Sequence, residues 1–361
     1  MMKIAVNARW LLPGKLEGTG VYTLKMLEQI IPSFPEHSFF LFLDRKIDTE
    51  IFDLNFSNVH FMVIAPMARH PLLWKVWNDI TVPNAIRKIG AQLYWSTDGL
   101  PARTTVRQWI TIHDLNFEHH PEWITAAAAK YYQKQVRKGA QVAEKIFTVS
   151  NWSKEDLVST YRISEEKIVV TLNAPQRVFS KGKSSFTGNY FCAVGALAPR
   201  KNLITLIKAF DRWCHQNPEQ NHKLKIAGTA LFKDSDFEHE MQELNHSNRI
   251  EWLGRLTEND LETLYRGATA YCMPSAMEGF GIPLVEAMQC GTPILASKNS
   301  AITEVVGKSG LLLPTYEIDA WTKGLQKVVD EYDHWSKLAL KRSKDFDWSK
   351  SAKPFINALK E

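Results

Sequence analysis

Two glutamates, Glu278 and Glu286, lie in a segment whose residue types suit the binding of a polar ligand. The segment, EGFGIPLVEAMQCGTPILAS, follows a predicted strand and contains Pro283, and proline is favoured in the first turn of a helix. We therefore expect Glu278 in a loop and Glu286 about one turn into the helix, near the positive end of its dipole. Two carboxylates placed in this way could accept hydrogen bonds from two sets of ligand hydroxyl groups.

The loop between these glutamates contains glycines, which let the backbone approach a ligand closely. The first N–H groups of a helix have no partner within the helix, so they can bind an anion. We expect this role for the N–H groups of Phe280, Gly281 and Ile282. An ordinary helix start with acidic residues has the same spacing, so this segment alone leaves both interpretations open.

A pair of cations, Arg200 and Lys201, precedes another predicted helix in the segment VGALAPRKNL. This segment follows a predicted strand, and Asn202 is the expected N-cap of the helix. Two cations beside a helix N-terminus form a suitable diphosphate site without a metal ion. A solvated basic pair on the surface is the alternative interpretation.

His113 directly follows a predicted strand, in the segment TIHDLNFEHHPEW, at the sheet edge where α/β proteins bind ligands. It could also be a buried histidine with satisfied hydrogen bonds, or a metal ligand together with Asp114, His119 and His120. The spacing does not match a zinc-binding helix motif, and no other acidic cluster supports a metal site. We therefore expect no metal ion.

A glycine-containing segment, EGTGVYT, lies between the first predicted strand and the first predicted helix. It lacks the third glycine of the dinucleotide-binding pattern GxGxxG, so a nicotinamide site is weakly supported. Gly18, Thr19 and Gly20 could instead form a loop through which an acceptor or a phosphate approaches the helix. The sequence contains neither a Walker motif nor a GxSxG nucleophile elbow.

Short apolar runs alternate with helical patterns along the chain, which predicts parallel sheets built from βαβ units. The predicted strands of the first half are 4–7, 39–43, 59–64, 93–95, 109–112, 146–149 and 168–172. Those of the second half are 190–194, 224–227, 250–253, 270–273, 294–296 and 311–313. A stretch rich in Ser, Lys and Gly, 175–189, is the predicted linker. We expect an α/β protein of two Rossmann-like, doubly wound domains that face a central cleft.

Length and composition agree with this organisation, because 361 residues suit two domains of ordinary size. The 44 basic and 39 acidic residues give a net charge of only +5, which is not the charge of a nucleic-acid-binding protein. The four cysteines form no CxxC pair, which indicates a reducing compartment and no zinc site. Because the sequence shows neither a signal-peptide pattern nor a membrane-spanning apolar run, we expect a cytoplasmic protein.

Taken together, these segments resemble glycosyltransferase family 4, a group of retaining enzymes with the GT-B fold. The segment from Glu278 to Glu286 resembles the family's E-x7-E element, VGALAPRKN its phosphate-binding element and EGTGVYT the glycine loop of its first domain. IHDLNFEHHPEW and TVSNWSKEDL resemble stretches of mannosyltransferase-like members. The resemblance covers nearly the whole chain. It implies an acceptor-binding domain over 1–175, on which the C-terminal helix 346–361 packs, and a nucleotide-sugar donor-binding domain over 190–345.

The resemblance also implies roles for matching residues. Arg200 and Lys201 would bind the donor diphosphate, Glu286 the ribose and Glu278 the transferred sugar, and His113 would lie beside the anomeric carbon. The other implied donor-binding residues are Gly195, Arg255, Leu256, Gly279, Phe280, Gly281 and Ile282. The implied acceptor side comprises Gly18, Thr19, Gly20, His113 and Asp114.

The implied reaction is the retaining, metal-independent transfer of a hexose from a nucleoside-diphosphate sugar to a saccharide or lipid-linked saccharide in surface polysaccharide synthesis. The resemblance favours mannose from GDP-mannose, and neither a cofactor nor a nucleic-acid partner is expected. A sugar-nucleotide epimerase, a sugar hydrolase and a non-catalytic sugar-nucleotide-binding protein of the same fold are the alternatives. A basic predicted helix, 130–145, could contact the inner face of the cell membrane or could be a solvated surface.

Overall fold

The computed structural model describes residues 1–14, 16–68, 70–229 and 235–361, and for 235–238 it describes the backbone alone. The chain forms two compact units. The first unit comprises Met1–Gln176 and Asp347–Glu361, and the second comprises Arg177–Phe346. Each unit is an α/β structure around its own sheet.

The stretch predicted as a linker, 175–189, lies mostly within the second unit. The N–H of Ser180 donates to Oε1 of Glu262 at 3.0 Å, and the hydroxyl of Ser184 donates to the carbonyl of Thr263 at 2.7 Å. Polar groups in this stretch therefore bond to other residues of the second unit. The chain changes from one unit to the other directly after Gln176.

All strands in both sheets run parallel. The first sheet has the order β3-β2-β1-β4-β5-β6-β7, with β1 (Lys3–Asn7), β2 (Ser38–Leu43), β3 (Val59–Val63), β4 (Leu93–Ser96), β5 (Arg107–Thr111), β6 (Lys145–Thr148) and β7 (Ile168–Val170). The second has the order β10-β9-β8-β11-β12-β13, with β8 (Tyr190–Val194), β9 (Lys223–Ala227), β10 (Ile250–Gly254), β11 (Ala270–Met273), β12 (Ile294–Ser297) and β13 (Leu311–Leu313). Each predicted strand is present with small shifts at its ends, which confirms the doubly wound α/β architecture.

The helices connect these strands in chain order. They are α1 (Gly18–Ile30), α2 (Pro71–Val76), α3 (Val82–Ile89), α4 (Asn116–His119), α5 (Ala126–Val142), α6 (Asn151–Tyr161), α7 (Leu203–Gln216), α8 (Ser235–Gln242), α9 (Glu258–Gly267), α10 (Ile282–Gln289), α11 (Ser300–Val306), α12 (Ile318–Asp330), α13 (Tyr332–Ser343) and α14 (Trp348–Lys360). The apolar face of α7 is buried in the core of the second unit. Among the described helices, none has both the length and the apolar character needed to cross a bilayer.

The last helix, α14, completes the core of the first unit. The ring of Phe355 packs against Trp95, Trp109 and Phe147, with centroid distances of 4.5, 5.2 and 4.4 Å. The indole N–H of Trp348 donates to the carbonyl of Pro175 at 2.8 Å. Buried aromatic side chains contribute strongly to core stability, so this helix is an integral part of the first unit.

The glycine-containing segment after β1 differs from the sequence prediction. α1 begins at Gly18, so Gly18, Thr19 and Gly20 form the first turn of a helix and not a loop. A Cβ added at Gly20 would lie 2.5 Å from the carbonyl oxygen of Trp10. Gly20 therefore allows α1 to pack closely on the chain that follows β1, and this packing accounts for the glycine without a ligand.

Candidate functional site

In each sheet the strand order reverses at one point, between β1 and β4 in the first unit and between β8 and β11 in the second. Open α/β sheets bind ligands beyond the carboxyl ends of the strands at such points. Arg200 and Lys201 follow β8, and Glu278 follows β11. His113 follows β5, the neighbour of β4. The predicted charged residues of each unit therefore lie near the point where ligands are expected.

Glu278 forms ion pairs with both predicted cations. Its Oε2 atom accepts from Nη1 of Arg200 at 2.5 Å, and its Oε1 atom accepts from Nζ of Lys201 at 2.7 Å. Burial would by itself raise the pKa of Glu278, but attraction to Lys201 and Arg200 lowers this pKa to about 2. The N–H of Ala276 also donates to the carbonyl of Arg200 at 2.8 Å. The chains that follow β8 and β11 are thus joined by these contacts. The ionised carboxylate and the two cations together carry a net positive charge.

Two glycines shape the surroundings of Lys201. A Cβ added at Gly228 would overlap the carbonyl oxygen of Gly195, so the chains after β8 and β9 touch through their backbones. A Cβ added at Gly195 would lie 3.0 Å from Cε of Lys201. The aliphatic part of Lys201 therefore packs on Gly195, while its ammonium group reaches Glu278.

The helix that the sequence predicts after Glu278 begins at Ile282, with Pro283 in its first turn. Gly281 precedes it with a φ of +95°, a conformation that favours glycine. Phe280 is buried and its ring contacts Phe346 edge-on at 5.6 Å between centroids. The positive end of α10 therefore directly follows the loop that contains Glu278, and Gly279 is buried within this loop.

Glu286 lies about one turn into α10, as predicted. Its Oε2 atom accepts from the phenolic hydroxyl of Tyr265 at 2.9 Å. Burial raises the pKa of Glu286 to about 7, although the hydrogen bond from Tyr265 opposes this increase. A ligand hydroxyl that donates to this carboxyl would favour its ionised form. The residue is therefore suited to a ligand that supplies hydrogen-bond donors.

Asn202 does not cap α7 through its side chain, so the predicted N-cap interaction is wrong. Its Nδ2 atom donates to the carbonyls of Pro274 at 3.0 Å and Thr315 at 2.9 Å, and its Oδ1 atom accepts from the hydroxyl of Thr205 at 2.8 Å. Its backbone has a φ of +48°. The amide group of Asn202 therefore joins the chains that follow β8, β11 and β13. Its hydrogen bonds are made to these chains and not to the first N–H groups of α7.

Arg255 and Leu256, two of the donor-binding residues that the resemblance implies, follow β10 at the end of the sheet order. Arg255 is exposed and Leu256 is half-buried. Both lie at the carboxyl end of their strand, on the same edge of the second sheet as Arg200 and Glu278. Their placement agrees with a ligand that extends along this edge.

In the first unit, His113 is held in a defined orientation. Its Nε2 atom lies 3.0 Å from the carbonyl oxygen of Thr97, and its ring contacts the edge of Tyr22 at 5.1 Å between centroids. Because a carbonyl only accepts hydrogen bonds, Nε2 bears the proton. Burial lowers the pKa of His113, so the ring is neutral at neutral pH with Nδ1 unprotonated. The neighbouring carboxylate of Asp114 accepts from the N–H of Asn116 at 3.1 Å.

Comparison with known proteins identifies the class of enzyme. The sequence profile of the glycosyl transferases group 1 family matches residues 176–344, nearly the whole second unit. O-antigen chain mannosyltransferase B of Escherichia coli is 25% identical over 369 aligned residues, which cover 96% of each chain. O-antigen chain mannosyltransferase RfbU of Salmonella typhimurium is 27% identical over 263 residues, which cover 72% of this chain and 71% of its own. These similarities show that the chain is a glycosyltransferase.

The glycosyltransferase also matches a solved structure over its full length. HepE of Anabaena, whose structure contains UDP and glucose, has a TM-score of 0.73 and 19% sequence identity, and the match covers 100% of both chains. At this identity the similarity concerns the fold. The predicted GT-B fold is confirmed, with both Rossmann-like units present in one chain.

The histidines that follow His113 in the glycosyltransferase form separate contacts. His119 Nε2 hydrogen-bonds Oδ1 of Asp156 at 2.8 Å. His120 Nδ1 lies 3.0 Å from Oε1 of Glu122, and its ring stacks on Trp123. Within the described ranges, no three His, Cys, Asp or Glu side chains come together as metal ligands. The interpretation of His113 as a metal ligand with these histidines therefore finds no geometric support.

Sequence reasoning missed a buried charged pair in the first unit of the glycosyltransferase. Nη2 of Arg9 lies 2.6 Å from Oδ2 of Asp98, and the two side chains are only 2% and 6% exposed. Arg9 follows β1 and Asp98 follows β4, the two strands at which the order reverses. Neither residue belongs to a sequence motif, and the two are far apart in sequence. The sequence therefore gives no indication that Arg9 and Asp98 form an ion pair.

The raised pKa of Glu286 predicts a pH-dependent contribution to stability. Because the folded-state pKa of about 7 exceeds the unfolded value, this contribution is present at acidic pH and is lost as the pH rises from about 4.5 to 7. We expect Glu286→Gln to stabilise the enzyme relative to the wild type by up to about 3 kcal/mol at alkaline pH, and much less at pH ~5. Urea unfolding of both proteins across this range measures the difference, and a difference that does not vary with pH would contradict the buried, protonatable state of Glu286.

Proposed function

We propose that this enzyme transfers mannose from GDP-mannose, with retention of configuration, to a saccharide or lipid-linked saccharide during surface polysaccharide synthesis. The similarity to an O-antigen chain mannosyltransferase over 96% of both chains supports the sugar and the type of product. A second O-antigen mannosyltransferase among the relatives supports the same assignment. The fold shared with HepE, solved with UDP and glucose, supports a nucleotide-sugar donor.

The observation that carries the proposal is the contact of one carboxylate, Glu278, with both Arg200 and Lys201 at the start of α10. When a nucleoside diphosphate leaves the anomeric carbon, negative charge builds on the leaving phosphate. Two cations and the N–H groups of a helix start are preorganised to stabilise this charge. We assign the diphosphate to Arg200 and Lys201, the ribose to Glu286 and the transferred sugar to Glu278.

This assignment requires an exchange of partners when the donor binds. Arg200 and Lys201 must share their hydrogen bonds between Glu278 and the diphosphate oxygens, because both cations already contact the carboxylate. The carboxylate oxygens can then accept hydrogen bonds from hydroxyl groups of the sugar. Binding of the diphosphate and orientation of the sugar are therefore coupled through Glu278. Backbone groups at Gly195, Gly279, Phe280, Gly281 and Ile282 complete the proposed donor site.

Retention follows in this proposal from front-face substitution. A retaining hydrolase uses a carboxylate nucleophile about 5 Å from its acid. Glu278 is unsuited to that role, because its pKa of about 2 and its two cationic partners make it a weak nucleophile. We infer that the acceptor oxygen bonds to the anomeric carbon as the bond to the phosphate breaks, and that the departing phosphate takes the acceptor's proton. His113 is assigned to the reacting end of the donor.

The charge on the leaving phosphate is stabilised by Arg200 and Lys201 in this mechanism, so we propose that transfer is independent of a metal ion. On the first unit, Asp114 and the first turn of α1 are assigned to the acceptor. The basic side chains of α5 at Lys134, Arg137 and Lys138 are exposed, as contact with an acidic membrane surface that holds a lipid-linked acceptor requires.

Thermal unfolding with GDP-, UDP-, ADP- and TDP-sugars, without added metal, tests the donor assignment. We expect a clear stabilisation by GDP-mannose, because a ligand that binds only the folded state adds about 2.7 kcal/mol at a hundredfold excess over its Kd. The stabilisation should be smaller in Lys201→Ala and in Glu286→Ala, because each variant loses one group of the proposed donor site. Stabilisation by another nucleotide sugar alone would replace GDP-mannose as the donor, and undiminished stabilisation in Lys201→Ala would remove Lys201 from the donor site.

A further inference from the structure

Arg9 and Asp98 form the most deeply buried ion pair at the ligand edge of the first sheet within the described residues. Nε of Arg9 donates to Oδ2 of Asp98 at 2.8 Å, and the indole N–H of Trp10 donates to the same oxygen at 3.0 Å. The hydroxyl of Ser96, the last residue of β4, lies 3.0 Å from the other oxygen, Oδ1, and 2.7 Å from the carbonyl oxygen of Leu100. The carboxylate of Asp98 is thus held mainly by groups of the chain that follows β1.

Thr97, which directly precedes Asp98, is fixed from the same side. Its hydroxyl donates to the carbonyl of Asn7, the last residue of β1, at 2.7 Å. The chain after β4 is therefore attached to β1 through the Thr97 hydroxyl and to the chain after β1 through Asp98, the next residue. The direction of the Thr97 carbonyl is set by these contacts.

That carbonyl is the hydrogen-bond partner of His113 Nε2, at 3.0 Å. The backbone of His113 is held independently, because its carbonyl accepts from the hydroxyl of Ser153 at 3.3 Å. The edge of Tyr22 limits the ring from another side. The orientation and the protonated nitrogen of the ring thus depend on the position of Thr97, which Asp98 controls.

Stability alone does not account for a buried ion pair, because replacing such a pair with apolar residues of similar volume is often neutral or stabilising. The Arg9–Asp98 pair is instead located at the strand reversal, one residue from the group that orients His113. A charged pair with several directional hydrogen bonds fixes geometry more narrowly than apolar packing does.

We propose that the Arg9–Asp98 pair is a positioning device for glycosyl transfer: it holds Thr97 so that the Thr97 carbonyl keeps His113 in one orientation, with its proton on Nε2. The two residues act through Thr97 and do not contact the reacting atoms. The inference rests on the proposed role of His113 in transfer. It adds two positioning residues to the reaction, neither of which belongs to a motif of the sequence.

The test is the double variant Arg9→Gln/Asp98→Asn, which removes both charges together and leaves no unpaired buried charge. Two-dimensional 15N–1H spectra of the histidine rings report the tautomer of His113, whose signals are identified by their absence in His113→Gln. We expect wild-type His113 to be protonated on Nε2 and the double variant to show a mixture of tautomers. We also expect kcat to fall about tenfold or more, because a small misplacement of a reacting group has large effects, while the KM of the donor stays nearly unchanged.

Asp44→Asn/Arg45→Gln is the matched control, because it also removes both charges of an ion pair in the first unit, and Asp44 is buried as well. We expect it to leave the His113 signals and kcat at wild-type values, and urea unfolding shows whether both variants are folded. Unchanged His113 signals in the double variant overturn the proposal whatever the activity. Altered signals with wild-type kcat support the positioning of the ring and contradict the proposed role of His113, so the two failures are distinguishable.

Discussion

Lys201→Ala is expected to lower kcat by about 10²–10³-fold, the usual effect of removing one preorganised donor from a site where negative charge develops. Nζ of Lys201 lies 2.7 Å from Glu278, and its aliphatic part packs on Gly195, so the ammonium group is held in one place before a ligand binds. The loss should appear mainly in kcat, because the charge that Lys201 is proposed to stabilise grows as the bond to phosphate breaks. Release of the nucleoside diphosphate at saturating donor measures this effect.

Lys225→Ala is the matched control for this experiment. Lys225 is a buried lysine of the same unit, it lies on β9, and it pairs with Glu251 and not with Glu278. We expect near-wild-type kcat from this variant. If Lys201→Ala also retained wild-type turnover, Lys201 would have no part in stabilising the leaving group, and the proposed mechanism would lose one of its two cations.

The strands could be predicted from the sequence because buried parallel strands are short, continuous apolar runs. β4 and β12, for example, are buried along their whole lengths, and the apolar residue types of both segments predict a buried strand. The start of α10 at Ile282 was likewise predictable, since Pro283 and the preceding glycine favour a helix start at one position. These features depend on neighbouring residues, which a sequence displays directly.

Features that depend on tertiary contacts were not predictable in this way. Asn202 has the residue type of an N-cap, yet its amide nitrogen donates to two carbonyls from distant parts of the chain, and its amide oxygen accepts from the nearby hydroxyl of Thr205. Gly18 and Gly20 resemble a ligand-binding loop, but both lie in the first turn of α1, and Gly20 packs closely on Trp10. In each case a local preference was overridden by a neighbour that only folding brings close.

The candidate site shows the same division. The residue types of Arg200, Lys201 and Glu278 indicated a polar ligand, because each stands at the end of a predicted strand or the start of a helix. Their direct contact was not foreseen, since the two motifs are separate in sequence and each was interpreted on its own. The Arg9–Asp98 pair gave no signal at all. Sequence patterns therefore identified candidate binding groups, whereas the groups that position them required the structure.

Glu278→Gln is expected to lower the Kd of GDP and, at the same time, to lower kcat. In the unliganded enzyme the carboxylate occupies hydrogen bonds of Arg200 and Lys201 that a diphosphate needs. A hydrogen bond to a charged group contributes about 1.5–3 kcal/mol, so removing this competitor should lower the Kd of GDP by about tenfold. Isothermal titration calorimetry measures the Kd, and kcat with GDP-mannose is measured in parallel.

We also expect kcat to fall about 10²-fold, because the lost carboxylate contributes to the transition state. Glutamine keeps the size of the side chain but loses the charge that orients the sugar and restrains the two cations, and a ground state bound more tightly has a larger barrier to cross. Glu262→Gln is the matched control, because Glu262 is also a buried carboxylate between two cations, with Arg177 at 2.8 Å and Arg266 at 2.6 Å. It should change neither GDP affinity nor kcat to a comparable extent. If GDP binds more weakly to Glu278→Gln, the carboxylate organises the cations for the diphosphate and does not compete with it, and the exchange of partners proposed for donor binding must be abandoned.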